Sequence, residues 1–179
     1  MKFLYLSVAM LLICSAAPAQ QPGPVPSWDG WQFLLGKWVG EGATRDVSQG
    51  TGYFTFEESL NGRVLVRKNH ANYPATKDRP AISHEDLMVV FVDQATKQTR
   101  AFYADNEGNV IQYAATLSKD GNTLTFLSEV IPAARRFRLT YVRTKPDQMA
   151  LTFEIAPPGK PDEFRKFIET TLRKADDQK

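Results

Sequence analysis

The sequence predicts an all-β fold: a single antiparallel up-and-down barrel of about ten strands, entered through a short helical turn. Three observations predict it. Segments alternating apolar and polar residues with period two recur from residue 38 almost to the end. Turn residues separate them at short, regular intervals. No convincing amphipathic helix lies between strands, so a parallel βαβ reading fails.

The N-terminal stretch reads as processing rather than fold. Met1-Lys2 is a basic start, Phe3 to Ala17 is an apolar run, and Ala17-Pro18-Ala19 is a small-x-small cleavage site. Residues 1–19 are therefore expected to be a signal peptide, with export to the periplasm or the exterior. Cys14 invites lipidation, but Ile13 stands where a small residue is wanted. Residues 20–30, with Pro22, Pro24 and Pro26, read as an extended linker. Residues 31–175 are the expected barrel and residues 176–179 a tail.

The elements follow in order. Trp28-Asp29-Gly30-Trp31 and Phe33-Leu34-Leu35 give one helical turn, which runs into a first strand, Trp38 to Arg45. Residues 52–58 are the second. Asn61-Gly62 signals a two-residue hairpin, because both residues tolerate positive φ. Residues 63–70 return, and 71–83, with Pro74 and Pro80, read as a longer loop. Residues 87–92 are apolar on both faces and so read as the best-buried strand. Five strands follow over 100–104, 110–117, 123–130, 136–142 and 149–155, separated by turns rich in Gly, Pro, Asn and Asp. Residues 164–174 carry a helix-compatible stripe, Phe164, Phe167, Ile168 and Leu172. Thr170-Thr171 favours a strand, and a meander must pair its last edge with its first.

Composition narrows the function classes. The chain has 22 Lys and Arg against 20 Asp and Glu, interspersed, so it has no footprint for nucleic acid or an anionic membrane. Past the leader no apolar run is long enough to span a bilayer. Cys14 is the sole cysteine, so a chain lacking the leader has neither disulfides nor thiol chemistry. No Gly-x-Ser-x-Gly, His-Glu-x-x-His or phosphate loop is present. Glu57 and Glu58 are adjacent, so on a strand they face opposite ways and form no catalytic dyad.

The opening motif resembles a family. Leu34-Leu35-Gly36-Lys37-Trp38-Val39-Gly40-Glu41-Gly42 is similar to the Gly-x-Trp opening of the calycins: lipocalins, fatty-acid-binding proteins and nitrobindin-like barrels. The resemblance implies a barrel closed around Gly36 and Trp38. It also implies a last-strand cation packed across Trp38, and Arg173 in Thr170-Thr171-Leu172-Arg173-Lys174 is the matching position. It further implies a small apolar or amphiphilic ligand. Haem held in the nitrobindin manner would need a His near the C-terminal end, and none follows His84.

Candidate ligand contacts are Arg67, His70, His84, Tyr103, Tyr113 and Arg138. His70 and His84 flank the long loop, where antiparallel pairing would bring them close. With Glu85 or Asp86 they would suit a divalent metal, but the spacing matches no metal motif, and no metal is assigned. Among the mid-strand charges Arg67, Arg100, Arg138, Glu57 and Glu154, most should face solvent, and one or two pointing inward would anchor a polar group. The tyrosines offer amphipathic walls. Two other readings stand beside ligand binding. One is an enzyme using the cavity. The other is a filled barrel presenting loops 71–83 and 156–163 to a protein partner.

Overall fold

The computed structural model describes residues 23–43 and 50–175. Ten antiparallel strands close into one barrel. They are β1 (Gly36–Ala43), β2 (Thr51–Ser59), β3 (Val64–Tyr73), β4 (Ile82–Val92), β5 (Thr99–Asp105), β6 (Val110–Leu117), β7 (Thr123–Ser128), β8 (Arg136–Lys145), β9 (Gln148–Ala156) and β10 (Arg165–Lys174). Each strand pairs with its neighbours in sequence, and β10 closes the barrel on β1. The last segment is a strand along its whole length, because only pairing on both sides satisfies its backbone and hides the edge of β1.

Alternation decides which side chains fill the barrel. On β2, Phe54 and Phe56 are buried; on β7, Leu124 and Phe126; on β8, Leu139 and Tyr141. Their rings interlock edge to face, with Phe54 and Phe56 at 5.7 and 6.3 Å from Tyr141, and Phe126 at 6.3 Å. Aromatic edges against aromatic faces are the favoured contact of ring quadrupoles, so this cluster fixes the middle of the barrel.

The base is plugged by the segment before β1. A 3-10 turn, Gln32–Leu34, carries Phe33 and Leu34 inward, and Trp28 and Trp31 are buried beside it. The Trp28 indole N–H donates to the Gly62 carbonyl at 2.7 Å, and the Trp38 indole N–H donates to the Leu34 carbonyl at 2.8 Å. Each large ring thus buries its body and satisfies its one donor. Trp28, expected in the linker, belongs to this plug.

Several expectations are corrected. The hairpin after β2 spans four residues, not two: Leu60, Asn61 and Gly62 all have positive φ, and the Arg63 N–H donates to the Ser59 carbonyl. The loop expected over 71–83 shrinks to 74–81, because β3 and β4 pair as far as Tyr73 and Ile82. Ser83, expected in the loop, is strand, and His84, expected to open the next strand, lies within β4, where alternate residues find polar partners inside the barrel. On β4 only Met88 and Val90 are fully buried, while Leu87 is exposed on the outer face. The strand expected over 123–130 stops at Ser128. Residues 44 and 45, expected to end the first strand, lie outside the described residues.

The cation over Trp38 is Lys174, whose Nζ lies 5.8 Å from the ring. Register explains the shift from Arg173: Lys174 pairs with Trp38 and shares its face, whereas Arg173 pairs with Val39 on the outside. There Arg173 bonds the Glu41 carboxylate.

Candidate functional site

The barrel is plugged at one end, and its polar interior gathers towards the other. Register places Arg67 and Asn69 of β3, His84 and Asp86 of β4, Tyr103 and Asp105 of β5, and Tyr113 of β6 on the inner face. Arg67 is only 6% exposed and Asp86 8%. Arg67 Nη1 lies 2.5 Å from Asp86 Oδ1, and Asn69 donates to Asp86 Oδ2 at 2.9 Å. The guanidinium also lies over the Phe54 ring, 5.1 Å from its centre. Burial opposes the Arg67 charge, and the facing Asp86 more than restores it, so its pKa stands above the ordinary value.

His84 continues the network to the rim. Nε2 lies 3.2 Å from Asp86 Oδ2, and Nδ1 lies 3.1 Å from Glu107 Oε1. The bond to Asp86 is the main cause that raises the His84 pKa; burial opposes it and Glu107 adds to it. The Tyr103 hydroxyl donates to Asp105 Oδ2 at 3.1 Å. Burial raises the Tyr103 and Tyr113 pKa values well above the ordinary range, so both stay neutral donors. Two buried polar atoms have no partner among the described residues near this network, Arg67 Nε and the Tyr141 hydroxyl.

Across the barrel the wall changes character. Ile111, Phe137, Phe153 and Ile168 are apolar and half-buried, packed on the core beneath. Phe137 and Phe153 lie parallel, their centres 6.0 Å apart, and Phe167 meets Phe153 edge-on at 6.2 Å. At this end, among the described residues, the interior therefore has a charged, hydrogen-bonding side on β3–β5 and an apolar side on β6 and β8–β10.

Four of the six expected ligand contacts, Arg67, His84, Tyr103 and Tyr113, converge here. Two do not. His70 pairs with Glu85 on the outer face, its Nδ1 3.1 Å from Glu85 Oε1. The two histidines sit one register step apart and so point to opposite faces. A surface concavity of about 520 Å³ lies beside His70, Tyr53, Lys68, Glu85 and Leu87, outside the barrel. Arg138 also faces outward. It holds Glu154 with Nε and Nη2 at 2.6 and 2.8 Å, and its guanidinium lies over Phe164. Of the five mid-strand charges, Arg67 alone turns inward.

Asn69 and Asp105 escaped the sequence reading, which weighed Asp86 only as a metal ligand beside the histidines and Tyr141 only as an amphipathic wall. The available signal was period two: His84, Asp86, Met88 and Val90 share one face of β4, grading from polar to apolar towards the plug.

The histidines do not fit haem. Both His84 nitrogens face carboxylates, and both His70 nitrogens, outside the barrel, face Glu85 and Asn72. His84, Asp105 and Glu107 each offer a ligand atom within 4.8 Å of the others. The Asp105 oxygens, however, already accept from Tyr103, from the Glu107 N–H and from Asn109. Burial works against the Asp105 charge, and these donors outweigh it, keeping its pKa below the ordinary value.

No model of a known protein family matches this chain, and none of the curated proteins matches it in sequence. Among solved structures, it is similar to Rv2717c from M. tuberculosis, with a TM-score of 0.58 at 16% identity. The match covers 82% of this chain and 96% of that one. At that identity the likeness shows a common fold. A ten-strand barrel of this shape is consistent with ligand binding.

Proposed function

We propose that this chain is an exported, lipocalin-like barrel that binds one small amphiphilic molecule in the cup at its open end. One observation carries the reading: the interior at this end has two unlike walls. Arg67, Asn69, His84 and Tyr103 make one side polar and hydrogen-bonded, while Ile111, Phe137, Phe153 and Ile168 make the opposite side apolar. A molecule with a polar head and an apolar body meets both walls at once, whereas a wholly polar or wholly apolar one leaves a wall unmatched. The leader at residues 1–19 supports export.

Native mass spectrometry of the protein purified from its own host tests this. A lipid-like mass released on denaturation, and one-to-one saturable uptake of a fluorescent fatty alcohol or fatty acid, are expected. Phe153→Asp should weaken uptake at least about tenfold, since it places a charge on the apolar wall. An empty protein with no saturable uptake of such probes would sink the reading.

A further inference from the structure

We infer that the apolar arc of the open rim docks on the surface of a phospholipid bilayer. The inference rests on the ligand-binding reading for its purpose but is tested separately. It begins with where exposed apolar side chains lie. Val110, Val130, Ile131 and Phe167 are 63%, 55%, 61% and 50% exposed. All four lie at the open end, and all belong to the β6–β10 side.

Register makes them one arc. Tyr113 of β6 pairs with Ser128 of β7, so residues 129–131 continue alongside 110–112. Arg136 ties this corner to the next loop: its Nε donates to the Ser128 carbonyl, and Nη1 donates to the Pro161 carbonyl and the Asp162 carboxylate. Phe164 lies under Arg136 and Arg138, and Phe167 contacts Phe153. The arc thus runs from Val110, Val130 and Ile131 across the Arg136–Asp162 contact to Phe167, which joins the apolar side of the interior through Phe153.

The chain as a whole has no anionic-membrane footprint, its charges being balanced, but the charges beside this arc match a phospholipid surface locally. Arg135 and Arg165 are exposed on this arc, and neither has an ion-pair partner among the described residues. Cations flanking apolar tips suit the headgroup layer, where phosphates meet the guanidinium and the apolar side chains enter the acyl boundary. The acids on the arc, Glu129, Asp162 and Glu163, are paired with Arg100, Arg136 and Lys160 respectively, so Arg135 and Arg165 remain as its surplus cations, while on the facing rim the exposed Glu85 and Glu107 engage the histidines. Docking therefore tilts the barrel with its β6–β10 side down. An apolar body could then pass from acyl chains to the cup wall without crossing water.

Co-sedimentation with vesicles tests this, using the protein from its own host. Phosphatidylcholine vesicles alone are compared with vesicles containing phosphatidylglycerol. Binding is expected, stronger with the anionic lipid and weakened by salt. The double variant Val130→Asp/Ile131→Asp should lower partitioning at least about tenfold. Leu60→Asp, at the plugged end and equally exposed, should leave it unchanged. Since all three sites are exposed turns, a matched thermal midpoint establishes that the variants fold. Absence of vesicle binding, or equal loss from Leu60→Asp, overturns the proposal. So does binding that survives the double variant, as it would if a retained leader carried it. Probe uptake in vesicle-free solution, unchanged in the double variant, separates this result from the fate of the cup.

Discussion

Arg67 and Asp86 meet inside the barrel from neighbouring strands, their charged atoms 2.5 Å apart and almost wholly withdrawn from water. Register places Arg67 opposite Met88 and Asp86 opposite Asn69, so the pair is diagonal. A buried pair is costly to assemble and more costly to break. Removing one partner leaves a charge in a medium that cannot solvate it.

Asp86→Asn should therefore destabilise the fold by about 3–5 kcal/mol, and Arg67→Met by a similar amount. Replacing both with apolar residues should cost less than the sum of the single losses. Urea unfolding of the four proteins measures this coupling. A double variant as damaged as the sum would show that the two residues act independently.

His84 makes stability depend on pH. Its pKa is raised above the ordinary value near 6.5, first by its bond to Asp86. A raised pKa means that the folded state binds the proton more tightly than the unfolded chain. The stabilisation is fully present below about pH 6.5 and is lost as pH rises through the folded value. The denaturation midpoint should fall across that window, and His84→Gln should flatten the slope there. An unchanged slope in the variant would remove His84 as the cause.

Tyr141 carries a buried hydroxyl with no partner among the described residues, and burial pushes its pKa up to about 12. A buried donor without an acceptor opposes folding. Tyr141→Phe keeps the ring contacts to Phe54, Phe56 and Phe126 and deletes the hydroxyl. It should raise stability by about 1 kcal/mol, read as a higher urea midpoint at constant slope.

Two glycines on the inner face should behave differently. A Cβ on Gly52 would lie 2.8 Å from the His70 carbonyl and 3.1 Å from Ala71, both on the neighbouring strand. A Cβ on Gly40 would meet nothing closer than 3.8 Å. Gly52→Ala should cost about 1–3 kcal/mol through displaced backbone, and Gly40→Ala should stay within about 0.5 kcal/mol of the parent. Thermal melting of both variants provides the comparison.

The barrel was legible because alternation and turn chemistry are local. Asn61-Gly62, Gly108 and Gly121 all adopt the positive φ their turns require. Strand extent was less legible at the open end. Ile82 and Ser83 look like loop residues until their partners on β3 are known, and those partners come from tertiary pairing. The site was legible in part. Arg67, His84, Tyr103 and Tyr113 were singled out by residue type, but type alone does not fix the face. Arg67 and Arg138 look alike in sequence, and one points in while the other points out. The last-strand cation fell one residue from its expected place, which on a strand means the other side of the wall.

The pairing of β10 with β1 has a consequence for how the protein is made. Every other strand pair joins consecutive segments, so nine hairpins can form as the chain emerges. The seam cannot form until the last strand exists. Until then the nascent sheet carries two bare edges, and the aromatic residues of its inner face stay open to solvent. Barrel closure therefore waits for the last strand, and a chain cut short before residue 165 is a template for edge-to-edge association rather than a smaller version of the protein.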